Sequence, residues 1–261
     1  MKRVALLAAV TLAACNPGSS GSAGGGNEAV GNSAADESAK PRTIWASAPD
    51  RINIRGDLYA AENPKAIILL FHQADSSKDE YATIAPRLVA AGYTAMAIDQ
   101  RSGGSMFGTN ETMKNVKHKA EMVDAENDLI GAVTWAQPFG KPIILWGSSY
   151  SASLVFNVAN LYPGKVKAVM AFSPGEYFSD PHMVGRAASS LAVPAYITSS
   201  SDPAEIAKAK AIAARVPKGR AEQYVPVAGV HGSSTLIVAK DPKGADANWA
   251  SALAFLKKVA P

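Results

Sequence analysis

The chain has 261 residues, of which 48% are hydrophobic and 18% are charged, and its formal net charge is +4. This composition excludes a disordered polymer, and the single cysteine excludes an internal disulfide framework and a multi-cysteine metal site. The basic residues are scattered, so we predict no nucleic-acid partner. The length suits one large α/β domain.

The first residues have the pattern of a secretory signal. Lys2 and Arg3 precede an apolar run over residues 4–12, which is too short to span a bilayer as a mature helix. The run ends in Leu-Ala-Ala-Cys, which resembles the lipobox of bacterial lipoproteins. The resemblance implies that residues 1–14 are removed and that a lipid on Cys15 anchors the protein in the bacterial cell envelope. The periplasmic face of the outer membrane is the expected location, and an ordinary signal peptide is the alternative.

Residues 15–41 are predicted to form a flexible tether. They are mostly Gly, Ser, Ala, Asn and acidic residues, and they lack an apolar period. Such a segment cannot bury enough surface to offset the entropy of ordering it. We therefore assign residues 42–261 to the folded domain.

The folded part alternates strand and helix after two initial β-like stretches at residues 43–47 and 52–60. Ser77 and Glu80 have the spacing of a capping box before the first helix. The alternation predicts a mostly parallel central sheet with helices on both faces. The apolar runs that predict buried strands are 66–71, 93–98, 142–146, 166–172, 193–198 and 223–227, and helical periodicity marks 81–89, 129–135, 154–161, 206–212 and 249–256.

Residues 147–151 read Gly-Ser-Ser-Tyr-Ser between a predicted strand and a predicted helix. A sharp turn here strains the backbone of the middle residue, Ser149, and lifts its side chain into the open. The segment resembles the G-x-S-x-G nucleophile elbow of the α/β-hydrolase superfamily, and the element order resembles that fold from residue 52 onward. Ser151 replaces the second glycine of the pattern. A serine-rich helix start that serves only for capping is the alternative.

The resemblance implies an α/β-hydrolase fold with little or no cap domain, since only about twenty residues separate the strands that end at 172 and begin at 193. Within that superfamily, the chain resembles the dienelactone-hydrolase-like and small esterase members. The superfamily's order of nucleophile, acid and base makes His231 the expected general base for Ser149.

The acid of this triad is expected just after the strand at residues 193–198, where Asp202 lies. Asp202 could instead cap the helix that Pro203 begins. Glu176 and Asp180 are the alternatives, and Glu205 is a weaker one.

The resemblance also implies an oxyanion hole made from backbone N–H groups. One would come from Tyr150, after the nucleophile, and the other from Gln73, where His72-Gln73 stands for the family's His-Gly. His72 is expected to be a structural hydrogen-bonding residue. Arg101 lies in a loop similar to D-x-R-G-x-G and is expected to brace the active-site loops. The alternative is that Arg101 binds an acidic substrate.

Together these residues predict a serine hydrolase that acts on small or medium carboxylic esters through an acyl-enzyme, with amides or peptides as the second substrate class. The chemistry requires no metal and no cofactor, and no obligate protein partner is predicted. The alternative is a non-catalytic envelope lipoprotein of the same fold that binds a ligand or partner.

Overall fold

The computed structural model describes residues 40–117 and 119–261. Cys15, the signal sequence and the tether as far as residue 39 therefore lie outside the described residues. Within the described part of the chain, no helix combines the length and the apolar character needed to cross a bilayer.

Eight strands form one sheet in the order β1-β2-β4-β3-β5-β6-β7-β8. β2 is antiparallel to β1 and β4, and the neighbours from β4 through β3 to β8 are parallel, which confirms the predicted mostly parallel sheet. The last strand ends at Tyr224, earlier than predicted, because Val225 and Val227 are exposed rather than buried. The strands are β1 (Arg42–Ser47), β2 (Asn53–Tyr59), β3 (Ile67–Phe71), β4 (Thr94–Ile98), β5 (Ile143–Ser148), β6 (Val166–Phe172), β7 (Ala195–Thr198) and β8 (Ala221–Tyr224).

Helices cover both faces of this sheet. Alternate residues of β3 point to opposite sides, so Leu69 packs with Leu129 and Leu154 on one face and Leu70 packs with Leu88 and Trp249 on the other. The first face carries α2 to α5, and the second carries α1 and α6. The helices are α1 (Ile84–Ala90), α2 (Glu126–Ala136), α3 (Tyr150–Leu161), α4 (Met183–Ser189), α5 (Pro203–Ala213) and α6 (Ala245–Val259).

The parallel strands bring their carboxyl ends to one edge of the sheet, which is where such folds hold their functional groups. The connection from β6 to β7 contains a single seven-residue helix, α4, so it forms no cap domain over that edge. The site is therefore built from the loops that follow β3, β4, β5, β6, β7 and β8.

The capping box predicted before the first helix does not form. Residues Lys78–Tyr81 form a short 3-10 helix, and the Ser77 hydroxyl accepts a hydrogen bond from Asp79 N. The Glu80 side chain does not reach back to Ser77, because its carboxylate turns inward and accepts from Gln73 N instead. A tertiary contact has replaced the local one that the spacing indicated.

Candidate active site

Ser149 lies in the sharp turn between β5 and α3, with φ 60° and ψ −123°. This backbone conformation costs a non-glycine residue roughly 1–3 kcal/mol and persists only where the surroundings enforce it. Ser149 N donates to Phe172 O at 2.8 Å, which fixes the turn to β6. A Cβ atom on Gly147 would lie 2.4 Å from the Ser151 carbonyl carbon, so the turn requires glycine there. The geometry is that of a strained nucleophile turn.

Ser151, which departs from the superfamily pattern, has a structural contact of its own. Its hydroxyl donates to His72 O at 2.6 Å and accepts from Gln100 Nε2 at 2.6 Å. The helix that follows the nucleophile turn is thereby joined to the loops after β3 and β4. The serine is accommodated within the turn and adds hydrogen bonds that glycine cannot make.

His231 is paired with Glu205. Its Nδ1 lies 2.8 Å from Glu205 Oε1, and Ser173 Oγ donates to Glu205 Oε2 at 2.8 Å. Burial alone would raise the pKa of Glu205, but the hydrogen bonds from His231 and Ser173 outweigh it and lower the pKa to about 2. The carboxylate is therefore ionised and accepts from Nδ1, so the neutral form of the imidazole has its lone pair on Nε2.

The prediction that Asp202 orients this base is wrong in its geometry. Asp202 Oδ1 accepts hydrogen bonds from the first-turn N–H groups of α5, at 2.9 and 3.1 Å, as a helix cap does. Glu205 lies three residues further along, in the first turn of the helix, and it reaches His231, although the sequence analysis treated it as a weaker choice. Glu176 and Asp180 are also engaged away from the base, since Glu176 accepts from two N–H groups of α4 and Asp180 pairs with the Arg186 side chain.

The loop that carries His231 packs directly against the Ser149 turn. Gly232 has φ 66°, and a Cβ atom there would lie 2.3 Å from Ser148 Oγ and 3.8 Å from Ser149 N. A side chain at residue 232 would collide with Ser148 Oγ in a left-handed backbone conformation, so glycine lets this loop pack against the turn. Among the described residues no hydrogen bond joins Ser149 Oγ to the imidazole, and such contacts often tighten only when a substrate is bound.

Tyr177 is a neighbour of the nucleophile that the sequence did not reveal. Its hydroxyl donates to Ser173 O at 2.9 Å. Burial raises the pKa of the Tyr177 phenol to about 12, the charge of Glu205 acts in the same direction, and a hydrogen bond with the Ser149 side chain acts against both. The phenol is therefore neutral. Its position in an irregular Gly-Glu-Tyr segment after β6 carries no motif that could have identified it.

The two residues predicted for the oxyanion hole differ in their placement. Tyr150 is the first residue of α3, where backbone N–H groups have no partner within the helix. Gln73 does not fit the prediction, because its N–H donates to Glu80 Oε2 at 2.8 Å. Its amide is thus turned to a buried carboxylate rather than to the site.

His72 is a structural residue. Gln100 N donates to its Nε2 at 2.9 Å, so the other nitrogen, Nδ1, donates to Gln73 O at 2.8 Å. Burial lowers the pKa of His72 to about 4, which keeps the ring neutral. It links the loops after β3 and β4 and offers no free nitrogen for proton transfer.

Arg101 also braces the loops. Its guanidinium donates to Asp128 Oδ1 at 2.8 Å and pairs with Asp50, and the side chain is 5% exposed. The positive charge is thereby committed to two carboxylates of the protein itself. An arginine committed in this way does not bind an acidic substrate, so a substrate-binding role for Arg101 is not supported.

Comparison with known proteins places this chain in a family. The model of the family described as serine aminopeptidase, S33, matches residues 62–221, more than half of the chain. A monoacylglycerol lipase from Mycolicibacterium smegmatis is 27% identical over 112 residues, which make up 43% of this chain and only 39% of that lipase.

Two solved structures share the fold at low identity. An esterase from Pyrococcus furiosus matches with a TM-score of 0.65 and 18% identity over 87% of this chain and 95% of the esterase. A dienelactone hydrolase from Anabaena variabilis matches with a TM-score of 0.67 and 16% identity over 85% of this chain and 100% of that enzyme. With the family match, the fold and the strained serine turn all in agreement, the chain belongs to the serine aminopeptidase S33 family of α/β-hydrolases.

Proposed function

We propose that this protein is a serine hydrolase that cleaves carboxylic esters through an acyl-enzyme on Ser149. The observation that carries the proposal is the Glu205–His231 pair, whose histidine lies on a loop that packs against the strained turn of Ser149. A serine hydroxyl is a poor nucleophile without such a base.

In the proposed reaction, Ser149 Oγ attacks the ester carbonyl carbon while His231 Nε2 takes the hydroxyl proton. The carbon–oxygen bond to the leaving alcohol then breaks, and the imidazolium returns its proton to the alcohol oxygen. A water molecule attacks the acyl-serine with His231 again as the base, which releases the carboxylic acid and restores Ser149. Glu205 holds the imidazole in the required tautomer and stabilises its positive charge.

We assign the oxyanion to the N–H groups of Tyr150 and Ala74. Since the N–H of Gln73 is engaged by Glu80, the next amide of the same loop is the available donor. Ala74 N has no hydrogen-bond acceptor within residues 40–117 and 119–261. The start of α3 adds the positive end of the helix dipole at the same place.

Esters are favoured over amides by the similar proteins, which include an esterase and a monoacylglycerol lipase. The family description favours peptide bonds as the second candidate. Amide cleavage requires full protonation of a poorer leaving group, so we expect it to be slower at this site.

A direct test combines active-site labelling with a substrate panel. A fluorophosphonate probe should label the folded protein at Ser149, and p-nitrophenyl acetate and butyrate should be hydrolysed faster than aminoacyl p-nitroanilides. Faster cleavage of the anilides would make the protein a peptidase. A folded protein that neither reacts with the probe nor turns over any substrate would instead support a non-catalytic protein that binds a ligand.

We further propose that Cys15 carries a lipid that tethers the hydrolase to the cell envelope. The support is the lipobox-like sequence at residues 12–15 and the polar segment after it. Expression in a bacterium fed radiolabelled palmitate should label the full-length protein and leave Cys15→Ser unlabelled. Equal membrane recovery and equal labelling of the two proteins would contradict the anchor.

A further inference from the structure

Glu80 is a buried carboxylate that the catalytic steps do not use. It lies on the short 3-10 helix after β3 and is 1% exposed. In the part of the chain that the structure describes, it forms no salt bridge. A buried acid without a cationic partner is costly, so its hydrogen bonds must offset that cost.

Those hydrogen bonds come from the segments that build the site. Gln73 N donates to Glu80 Oε2 at 2.8 Å, and Ser148 Oγ donates to Oε1 at 2.7 Å. Ser76 Oγ and Gln73 Nε2 add longer contacts, at 3.4 and 3.3 Å. Ser148 immediately precedes Ser149, and its oxygen in turn accepts from Ser233 N at 2.9 Å. One carboxylate thus connects three segments: the loop after β3 that carries Gln73 and Ala74, called here the oxyanion loop, the nucleophile turn, and the loop that carries His231.

Every one of these partners is a donor, which suits the ionised form of the acid. Burial raises the pKa of Glu80 to about 7, while the hydrogen bonds from Gln73 and Ser148 act against that rise. The titratable groups that face it are Tyr81 on its own turn, Tyr150 at the start of α3, and His231. Lys78, on the same turn, is paired with aspartates instead.

We propose that Glu80 is a positioning residue that shapes the oxyanion hole. By drawing the Gln73 amide inward, its carboxylate leaves the next amide, Ala74 N–H, to face the substrate. Through Ser148 it also fixes that loop relative to the nucleophile. The inference rests on the proposed hydrolase function, because it assigns Glu80 a role in that same site.

Protonation of Glu80 removes one acceptor from this network. The protonated carboxyl group carries a hydrogen that needs an acceptor, but the groups around it already donate to Glu80. Either the Ser148 hydroxyl or the Gln73 N–H therefore loses its acceptor. We therefore expect the oxyanion loop to be held best when Glu80 is ionised. The pH dependence of turnover then reports the ionisation of Glu80.

The decisive variant is Glu80→Gln, which keeps the shape and removes the charge. At pH 8 we expect kcat to fall roughly 10- to 100-fold and KM to change less than threefold, because a displaced donor affects the transition state most. The ratio of wild-type to variant kcat should shrink towards pH 5, where the wild-type carboxyl is itself protonated. A ratio that stays the same at every pH, or never exceeds twofold, would overturn the proposal.

Two matched variants keep the test informative. Asp79→Asn removes a neighbouring charge on the same turn that pairs with Lys78, and it should leave kcat within twofold of wild type. Ser148→Ala removes one donor to Glu80 and its link to the nucleophile turn, so kcat at pH 9 should fall and the pH at which turnover is lost should move upward. An unchanged pH profile for Ser148→Ala in a folded protein would also contradict the role.

Amide hydrogen exchange provides a readout that needs no substrate. The Gln73 N–H, buried in a hydrogen bond, should exchange slowly in wild type and at least tenfold faster in Glu80→Gln. If wild type lacks ester turnover and probe labelling, the proposed function fails while this loop measurement still stands. If wild type is active and both exchange and kcat are unaffected in Glu80→Gln, only the inference about Glu80 fails.

Discussion

Replacing Ser149 with alanine is expected to lower kcat/KM for a p-nitrophenyl ester by roughly 10⁴-fold or more. Without the hydroxyl, no acyl-enzyme can form, and the remaining machinery can only polarise the carbonyl for a water molecule. Alanine keeps the Cβ atom and therefore the strained backbone, so the free energy of unfolding should change by less than about 0.5 kcal/mol. Initial rates and thermal unfolding measure the two quantities.

Ser201→Ala is the matched control for this variant. Ser201 also lies at the carboxyl edge of the sheet, but it is exposed, and its hydroxyl donates to Gly229 O at 3.2 Å and forms no other hydrogen bond among the residues that the structure describes. Its rate should equal that of wild type within twofold. Activity of Ser149→Ala above one tenth of wild type, in protein free of other esterases, would show that the nucleophile lies elsewhere.

The second large effect is expected for Glu205→Gln, which should lower kcat roughly 10³- to 10⁴-fold. A glutamine cannot stabilise the imidazolium, and its amide can hold His231 in the wrong tautomer. Asp202→Asn makes the same chemical change three residues away. It should keep activity within threefold, and it should keep stability too, because asparagine also caps helices well.

The pH dependence of this pair has a definite sign. Hydrogen bonding to His231 and Ser173 depresses the folded-state pKa of Glu205 to about 2, despite its burial. Its contribution to stability is therefore present above the unfolded-state pKa and is lost as the pH falls through about 2. The difference in unfolding free energy between wild type and Glu205→Gln should shrink as the pH falls through about 2. Loss of activity in Asp202→Asn with full activity in Glu205→Gln would make Asp202 the acid after all.

Most of the fold was accessible from local patterns. Continuous apolar runs place β3 to β7, because a strand buried on both faces must be apolar at every position. Gly147 and Ser149 predict the sharp turn, since the side chain that would clash there is absent. β8 was misplaced because it lies at the edge of the sheet, and its residues are only half-buried and therefore less apolar.

The acid could not be chosen from the sequence. Asp202 and Glu205 both lie at the start of α5, three residues apart, so they project from nearby parts of one helix face. Which carboxylate reaches the imidazole depends on how α5 packs against the loop after β8, a contact between residues distant along the chain. The shorter Asp side chain satisfies the helix start, and the longer Glu side chain extends to His231.

The sequence by itself determined the parallel α/β sheet and the serine turn, because burial and backbone strain restrict residue types at those positions. The histidine after the last strand was predicted from the chain order that the resemblance to the superfamily implies. Only the tertiary structure decided that Glu205 pairs with His231 and that Glu80 turns away from Ser77 to hold Gln73. In both cases two hydrogen-bond partners compete, and the local sequence makes either pairing possible. The hydrogen bond that forms is the one whose partners are brought within hydrogen-bond distance by tertiary packing, in a site from which water is excluded.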